Sequence, residues 1–430
     1  PPAPRGPHGV GTFHFSITDA ARIERYAPER RRELYVEVWY PADQKSLKDY
    51  PVSTLFQSLY EGAYNRTSFL FGYLKRVDTH SHVRAPVARD SGRFPVLLFN
   101  HALDFGFPAQ NQRLMEHMAS HGYVILSIAH PYQTPKVNLA EAGTVFRANH
   151  IPGDIVLPRA QLDERLIGSV FARTHDIRQV SRLKALLYPL AEQYLALDEK
   201  DRPAFLAGSV ASAELQPFRT FVSAELLEDF ILYDYVRDNS LTQYWVEDNR
   251  FILDSLPTLP EPIPGFTDVL DLEHVGVFGM SYGGSAAGEF CKIDRRCDAG
   301  ANLDGTQLGA HWNQPVPVPF LMLYNDQHQG GNDFAYFPPT AGFWDYRVKG
   351  TGHTDFTDFA CLWPILRWTG ISGSIRGKRA LEILDIVVLN FFDHYLKGAP
   401  IQGELHTNIP EIVARRSPVE ERSGAGADQP

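Results

Sequence analysis

The chain has 430 residues, 44% of them apolar and 21% charged, with 51 acids against 41 bases and a net charge of −10. That is the composition of a globular chain, long enough for one large α/β domain with insertions or for two ordinary domains. The acidic balance argues against nucleic acid as a partner, because phosphate binding needs a basic face. No run reaches the roughly 18 to 20 apolar residues of a membrane span.

From the N-terminus, Phe13–Ile17 and Glu33–Tyr40 read as strands, the second with Leu34, Val36, Val38 and Tyr40 alternating with Tyr35, Glu37 and Trp39. Phe94–Asn100 is a continuous apolar run, as expected of a strand buried on both faces. A helix is expected over Asn111–His121, with Gly122 at its C-terminal cap, then a buried strand over Tyr123–His130. The rhythm then breaks. Arg173–Leu190, Phe218–Asn239 and Trp245–Leu256 read as helices, and the block 152–242 is expected to be a helical cap inserted into a single 1–430 domain. Strand and helix alternation resumes with Val275–Met280, Ser281–Phe290, Ala299–Leu303, Pro319–Tyr324, Trp344–Val348 and a long last helix over Arg376–Leu396. Alternating βα units imply an α/β fold with a mostly parallel sheet. No internal repeat is visible, and 417–430 reads as a disordered tail.

Gly279-Met280-Ser281-Tyr282-Gly283 stands where an apolar strand runs into a helix. G-x-S-x-G in that context is a nucleophile elbow: a sharp turn lifts Oγ clear of the backbone, and the two glycines leave room for the turn. The N–H of Tyr282 at the helix start is a candidate oxyanion donor. A second donor is expected from the loop Asn100–Asp104, from Leu103 or Ala102.

A serine needs a base. Of the downstream histidines, His353 lies in a loop just after the strand Trp344–Val348, whereas His394 falls on the last helix. His101 precedes the serine and reads as a structural hydrogen-bonder. For the acid, Asp304 and Asp326 both end strands, and the common order of this fold, taken alone, favours Asp326. Phe105, Phe107 and Phe356 flank the catalytic loops and are candidate pocket walls, with an aromatic stretch at Tyr60, Tyr64, Phe69, Phe71 and Tyr73.

Several motifs carry little. The three cysteines form neither a zinc pattern nor a disulfide framework, although Cys291 and Cys297 are close enough to pair in an oxidising compartment. Asn65-Arg66-Thr67 is a formal glycosylation sequon. Asp78–His82 and the set Asp326, His328 and Asp333 look ligand-like, but no metal or other cofactor is expected.

The chain resembles the plasma-type platelet-activating factor acetylhydrolases and their microbial relatives, within the α/β-hydrolase superfamily. The resemblance rests on Gly6–Gly11, Val38–Pro41, Phe94–Leu103, Ala119–Tyr123, the elbow, Ala299–Gly305 and His353–Phe359, so it spans most of the chain. Met280 and Ala102 depart from the usual elbow and oxyanion loop, and the helical insertion is longer than usual. The resemblance implies Asp304 as the acid, in the pair Leu303-Asp304. It also implies a small-molecule or lipid ester as substrate, a Ser281–His353–Asp304 triad and a secreted or periplasmic location, which the missing initiator Met also favours.

Overall fold

The computed structural model describes residues 3–54, 77–89, 92–103, 105–148, 166–260, 263–336, 342–362, 372–401 and 408–416. The aromatic stretch 60–73, the sequon, Asp104, the first part of the expected cap and the tail 417–430 lie outside them.

In chain order the elements are β1 (Gly9–Ile23), β2 (Arg31–Ala42), β3 (Val52–Thr54), β4 (Asp78–Val83), β5 (Phe94–Asn100), α1 (Gln112–Ser120), β6 (Val124–Ala129), β7 (Lys136–Leu139) and β8 (Gly143–Phe146). Helices α2 (Ile167–Thr174), α3 (Ile177–Leu195), α4 (Arg202–Val210), α5 (Ala224–Asp229) and α6 (Arg237–Ser255) follow. Then come β9 (Leu270–Met280), α7 (Tyr282–Ile293), β10 (Ala299–Leu303), β11 (Phe320–Tyr324), β12 (Phe343–Val348), α8 (Gly377–Lys397) and β13 (Ile412–Arg416). Among the described residues, eleven strands form one sheet in the order β13-β12-β11-β10-β9-β5-β6-β2-β1-β4-β3. Its centre, from β6 through β5 and β9 to β12, is parallel.

Period-two alternation sorts the central strands into two cores. On β5, Leu97 and Phe99 face a cluster with Ile125, Phe278 and the α8 residues Val388 and Phe392. Val96 and Leu98 face the other way, toward Leu126, Val277, Phe290 and Leu253 of α6. Both faces of the sheet are therefore covered, which is why β5 and β6 read as unbroken apolar runs.

The helical stretch departs from expectation in its joints. His175 adopts a left-handed conformation (φ 51°) and separates α2 from α3, where one helix was expected. Conversely, a π-helical turn at Phe230–Val236 welds α5 to α6, so Phe218–Asn239 and Trp245–Leu256 are not separate helices. Helices α2 to α5 share an apolar cluster of their own, which includes Leu183, Leu187, Tyr188, Leu227 and Trp312. Strands β3, β4, β7, β8 and β13 were not foreseen; all are short, with β13 and β3 at the two edges, β4 between β1 and β3, and β7 and β8 in a separate hairpin. The ligand-like Asp78–His82 stretch is β4 itself, with Ser81 turned inward to Glu116 (2.7 Å) and His82 bonded to the Tyr50 carbonyl (2.9 Å).

Cys291, near the end of α7, and Cys297, just before β10, form a disulfide.

Candidate active site

Ser281 connects β9 to α7 with φ 56° and ψ −121°, a region that non-glycine residues rarely enter. The turn is crowded. A Cβ at Gly279 would lie 2.2 Å from the Gly283 carbonyl carbon, and one at Gly283 would lie 2.0 Å from the Asn100 carbonyl oxygen. Backbone packing thus excludes side chains on both sides of the serine, as the elbow motif implies.

Three sequence-distant residues meet there. Ser281 Oγ lies 3.0 Å from His353 Nε2, and His353 Nδ1 donates to Asp304 Oδ2 at 2.6 Å. This bond fixes the proton on Nδ1 and turns the Nε2 lone pair toward the serine. Asp304 follows β10 and has no exposed side-chain surface. Its carboxylate also accepts the Asn325 N–H (2.8 Å) and side-chain amide (2.9 Å). Burial works to raise this carboxyl, but His328, His353 and their hydrogen bonds hold it down at about 2.

Asp326, the alternative acid, is occupied elsewhere. Its Oδ1 accepts from Arg347 (2.8 Å) and its Oδ2 from the Gly350 N–H (2.9 Å). It braces the loop that carries His353 and does not touch the imidazole.

In the loop expected to supply the second oxyanion donor, the Ala102 N–H donates to Gln110 Oε1 at 3.1 Å, so one of the two expected donors there is already engaged. His101 is buried. Its Nδ1 donates to the Ala102 carbonyl (2.7 Å), and its Nε2 accepts from the His130 N–H (3.2 Å) and Thr134 hydroxyl (2.8 Å). Burial, with His130 adding to it, depresses its pKa to about 3, so the ring is neutral. Tyr282 anchors the elbow from the other side: its hydroxyl lies 2.9 Å from both the Asp238 carbonyl and Thr242 Oγ1, at the start of α6.

Of the expected pocket walls, only Phe105 is open to solvent, at 67% exposure. Phe107 and Phe356 are core residues packed with α1 and α8, and they offer no free wall. Half-buried Phe171 and Phe334 are aromatic side chains near this edge, whereas Tyr188 and Trp312 are buried in the apolar cluster of the helical stretch. Phe171 of α2 stands edge-on to His328 (6.4 Å), and Tyr188 of α3 packs on Trp312 and Phe334 (5.1 Å each). The Phe334 N–H reaches Ser181 of α3 (3.3 Å), so this stretch rests on the loops that leave the carboxyl ends of β10 and β11.

Sequence reasoning missed His328 and Asn325 as site residues. His328 Nδ1 lies 3.2 Å from each Asp304 oxygen, and Asn325 bonds the same carboxylate. Burial pulls the His328 pKa down, but Asp304 outweighs it and the net shift is upward. The available signal was position: Asn325–His328 directly follows a central parallel strand, at the edge where such folds collect ligands. The ligand-like set Asp326, His328 and Asp333 does not converge, because Asp333 pairs with Arg415 (2.8 Å).

Among the described residues no helix is long and apolar enough to cross a membrane. No protein-family model matches the chain, and no curated protein matches it. Among solved structures, a ferulic acid esterase from Streptomyces cinnamoneus aligns over 96% of this chain and 98% of its own, with a TM-score of 0.63 and 20% sequence identity. A parallel sheet covered on both faces, a strand–serine–helix turn at its centre and that full-length likeness give the chain the α/β-hydrolase fold.

Proposed function

We propose that this chain is a serine carboxylic-ester hydrolase with Ser281 as nucleophile, His353 as base and Asp304 as the acid that orients it. The observation that carries this reading is the continuous hydrogen-bond relay from Ser281 Oγ through His353 to Asp304, at 3.0 and 2.6 Å.

His353 Nε2 takes the hydroxyl proton as Oγ attacks the ester carbonyl, and Asp304 stabilises the imidazolium that forms. The N–H groups of Tyr282 and Leu103 receive the oxyanion. The ester C–O bond then breaks, and the alcohol leaves with the proton from Nε2. A water molecule attacks the acyl-enzyme with His353 again as base, which releases the acid and restores Ser281. These steps use only groups of the chain, the ester and water.

The family resemblance favours acetyl and short acyl esters, including those of phospholipids. The half-buried Phe171 edge-on to His328, together with the name of the structural neighbour, supports a second reading: aromatic acyl esters such as ferulate. In both, the helices α2 to α5 act as a cap that shapes the acyl site.

The test is hydrolysis of a p-nitrophenyl series from acetyl to palmitoyl and of methyl ferulate, by the intact chain and by Ser281→Ala. Activity confined to the intact chain is expected, and the preferred acyl group separates the two substrate readings. Failure on every ester, with Ser281 also inert to an organophosphate, overturns the hydrolase assignment. An amidase or acyltransferase would label with organophosphate yet prefer an amide or a non-water acceptor, whereas a binding module would not label.

A further inference from the structure

We infer that Asp304, His328 and His353 form an inhibitory binding site for a zinc-type divalent transition-metal ion, an inference whose inhibitory half rests on the triad reading above. A triad needs one imidazole on its carboxylate; here there are two. One ligand atom from each of the three residues lies within 4.8 Å of the others. His328 Nδ1 is 3.2 Å from both Asp304 oxygens and His353 Nδ1 is 2.6 Å from Oδ2. Ligand atoms about 2.0–2.1 Å from a tetrahedral ion stand roughly 3.3 Å apart. Relative to the carboxylate, His328 therefore already has ligand spacing and His353 must move out by less than about 1 Å, while the two imidazole ligand atoms, within 4.8 Å of each other, close onto the ion.

The site is built on one side and open on the other. Asp304 is fixed from behind by Asn325, while the His328 and His353 side chains are 34% and 41% exposed. An ion can enter from solvent between the rings and find an immobile carboxylate. Two imidazoles and one carboxylate suit zinc, copper or nickel; magnesium and calcium prefer oxygen ligands.

The consequence for catalysis follows from the proton count. Nδ1 of His353 can bind a metal only with its lone pair, so the N–H bond there breaks. In the neutral ring the proton then resides on Nε2, transferred through solvent. Nε2 then faces Ser281 with a hydrogen in place of a lone pair and cannot accept the hydroxyl proton. His328 Nδ1, which also lies 3.1 Å from the Asn325 side-chain amide, likewise binds a metal through its lone pair, with the ring proton on Nε2. No electron is transferred, and removal of the ion restores the original tautomer.

The experiment is calorimetric titration of the full chain with zinc chloride, alongside zinc inhibition of p-nitrophenyl acetate hydrolysis, for the native protein, His328→Phe and His328→Gln. Expected are one zinc per chain, inhibition with the same midpoint that a chelator reverses, no effect of magnesium or calcium, and at least tenfold weaker binding in whichever His328 variant folds. Equal zinc affinity in both variants, no single-site binding, or binding without inhibition of an active enzyme each overturn the proposal. Single-site binding lost with His328, in a chain that hydrolyses no ester, upholds the metal site and overturns the triad reading instead.

Discussion

Arg32 and Asp248 face each other with no exposed side-chain surface on either, joined by two hydrogen bonds of 3.1 and 2.6 Å. Asp248 also accepts from His130 Nδ1 (2.8 Å), whose ring stacks on Trp245 with centroids 3.8 Å apart and whose Nε2 lies 3.1 Å from Asn100 Oδ1. This buried chain links β2, α6 and the end of β5, and so supports the backbone from which the oxyanion loop departs. Arg32 also pairs with the buried Glu24 (2.6 Å), so its removal strands that carboxylate and leaves Asp248 to Arg22 (2.9 Å) and His130, at a cost of about 3–5 kcal/mol. Arg32→Leu is expected to lose that much stability in urea denaturation and to lower the hydrolytic rate of the fraction that remains folded. A loss under about 1 kcal/mol would show that the pair contributes no more than a surface ion pair does.

Asp304 and Asp326 are a single strand-end apart in function but distinct in geometry. Asp304→Asn retains the shape but presents an amide to Nδ1, which favours the wrong tautomer. Rates should fall by on the order of 10⁴, as when the acid of a serine triad is neutralised. Asp326→Asn should lower the rate only modestly, by loosening the loop held through Gly350. Comparison of kcat for the two variants decides it, and equal losses would mean that the assignment of the acid is wrong.

His101 predicts an acid-sensitive fold. Its pKa is about 3 in the folded chain and about 6.5 when unfolded. Between those values the unfolded chain binds the proton and the folded chain does not. Its contribution is therefore intact above about pH 6.5 and is lost as pH falls toward 3, at about 1.4 kcal/mol per pH unit. His101→Gln should be less stable at pH 7, with a shallower loss between pH 6.5 and 4. Parallel stability–pH curves for the two proteins would refute this.

The Cys291–Cys297 bond closes a loop with a sequence separation of only 6. Loop-closure entropy for so short a ring is about 2 kcal/mol. The double variant Cys291→Ala, Cys297→Ala should lose about that amount in chemical denaturation, with activity unchanged once folded. No shift in midpoint would show that the unfolded chain gains nothing from release of the ring.

Strand cores were legible because burial on both faces leaves a chemical trace, as in Phe94–Asn100. The elbow was legible because steric crowding at Ser281 dictates glycine at fixed offsets. His353 and Asp304 could be nominated only by their place after strands, and choosing Asp304 over Asp326 required a family resemblance. Their contact is a tertiary fact that no local spacing encodes. Helix joints were misread where a π-turn or a left-handed His175 leaves no compositional sign. Phe107 and Phe356 were misplaced because an aromatic residue beside a catalytic loop looks the same from sequence whether it turns into the core or into a pocket.

One detail of the site has consequences for how the protein would fail. The Ser281 N–H donates to Leu303 O and the Asp304 N–H to Leu323 O, both at 2.8 Å. Each residue is the last rung of a ladder between parallel strands, β9 on β10 and β10 on β11. Their separation is therefore ruled by inter-strand spacing, like marks on adjacent staves of a cask. Helices above the sheet can shift, lengthen or be replaced and alter which ester fits, yet leave the reacting atoms in register. Heat or denaturant can part these two residues only by unzipping the central sheet, whereas His353, on the loop that Asp326 holds through Gly350, can leave the site while the sheet is still intact.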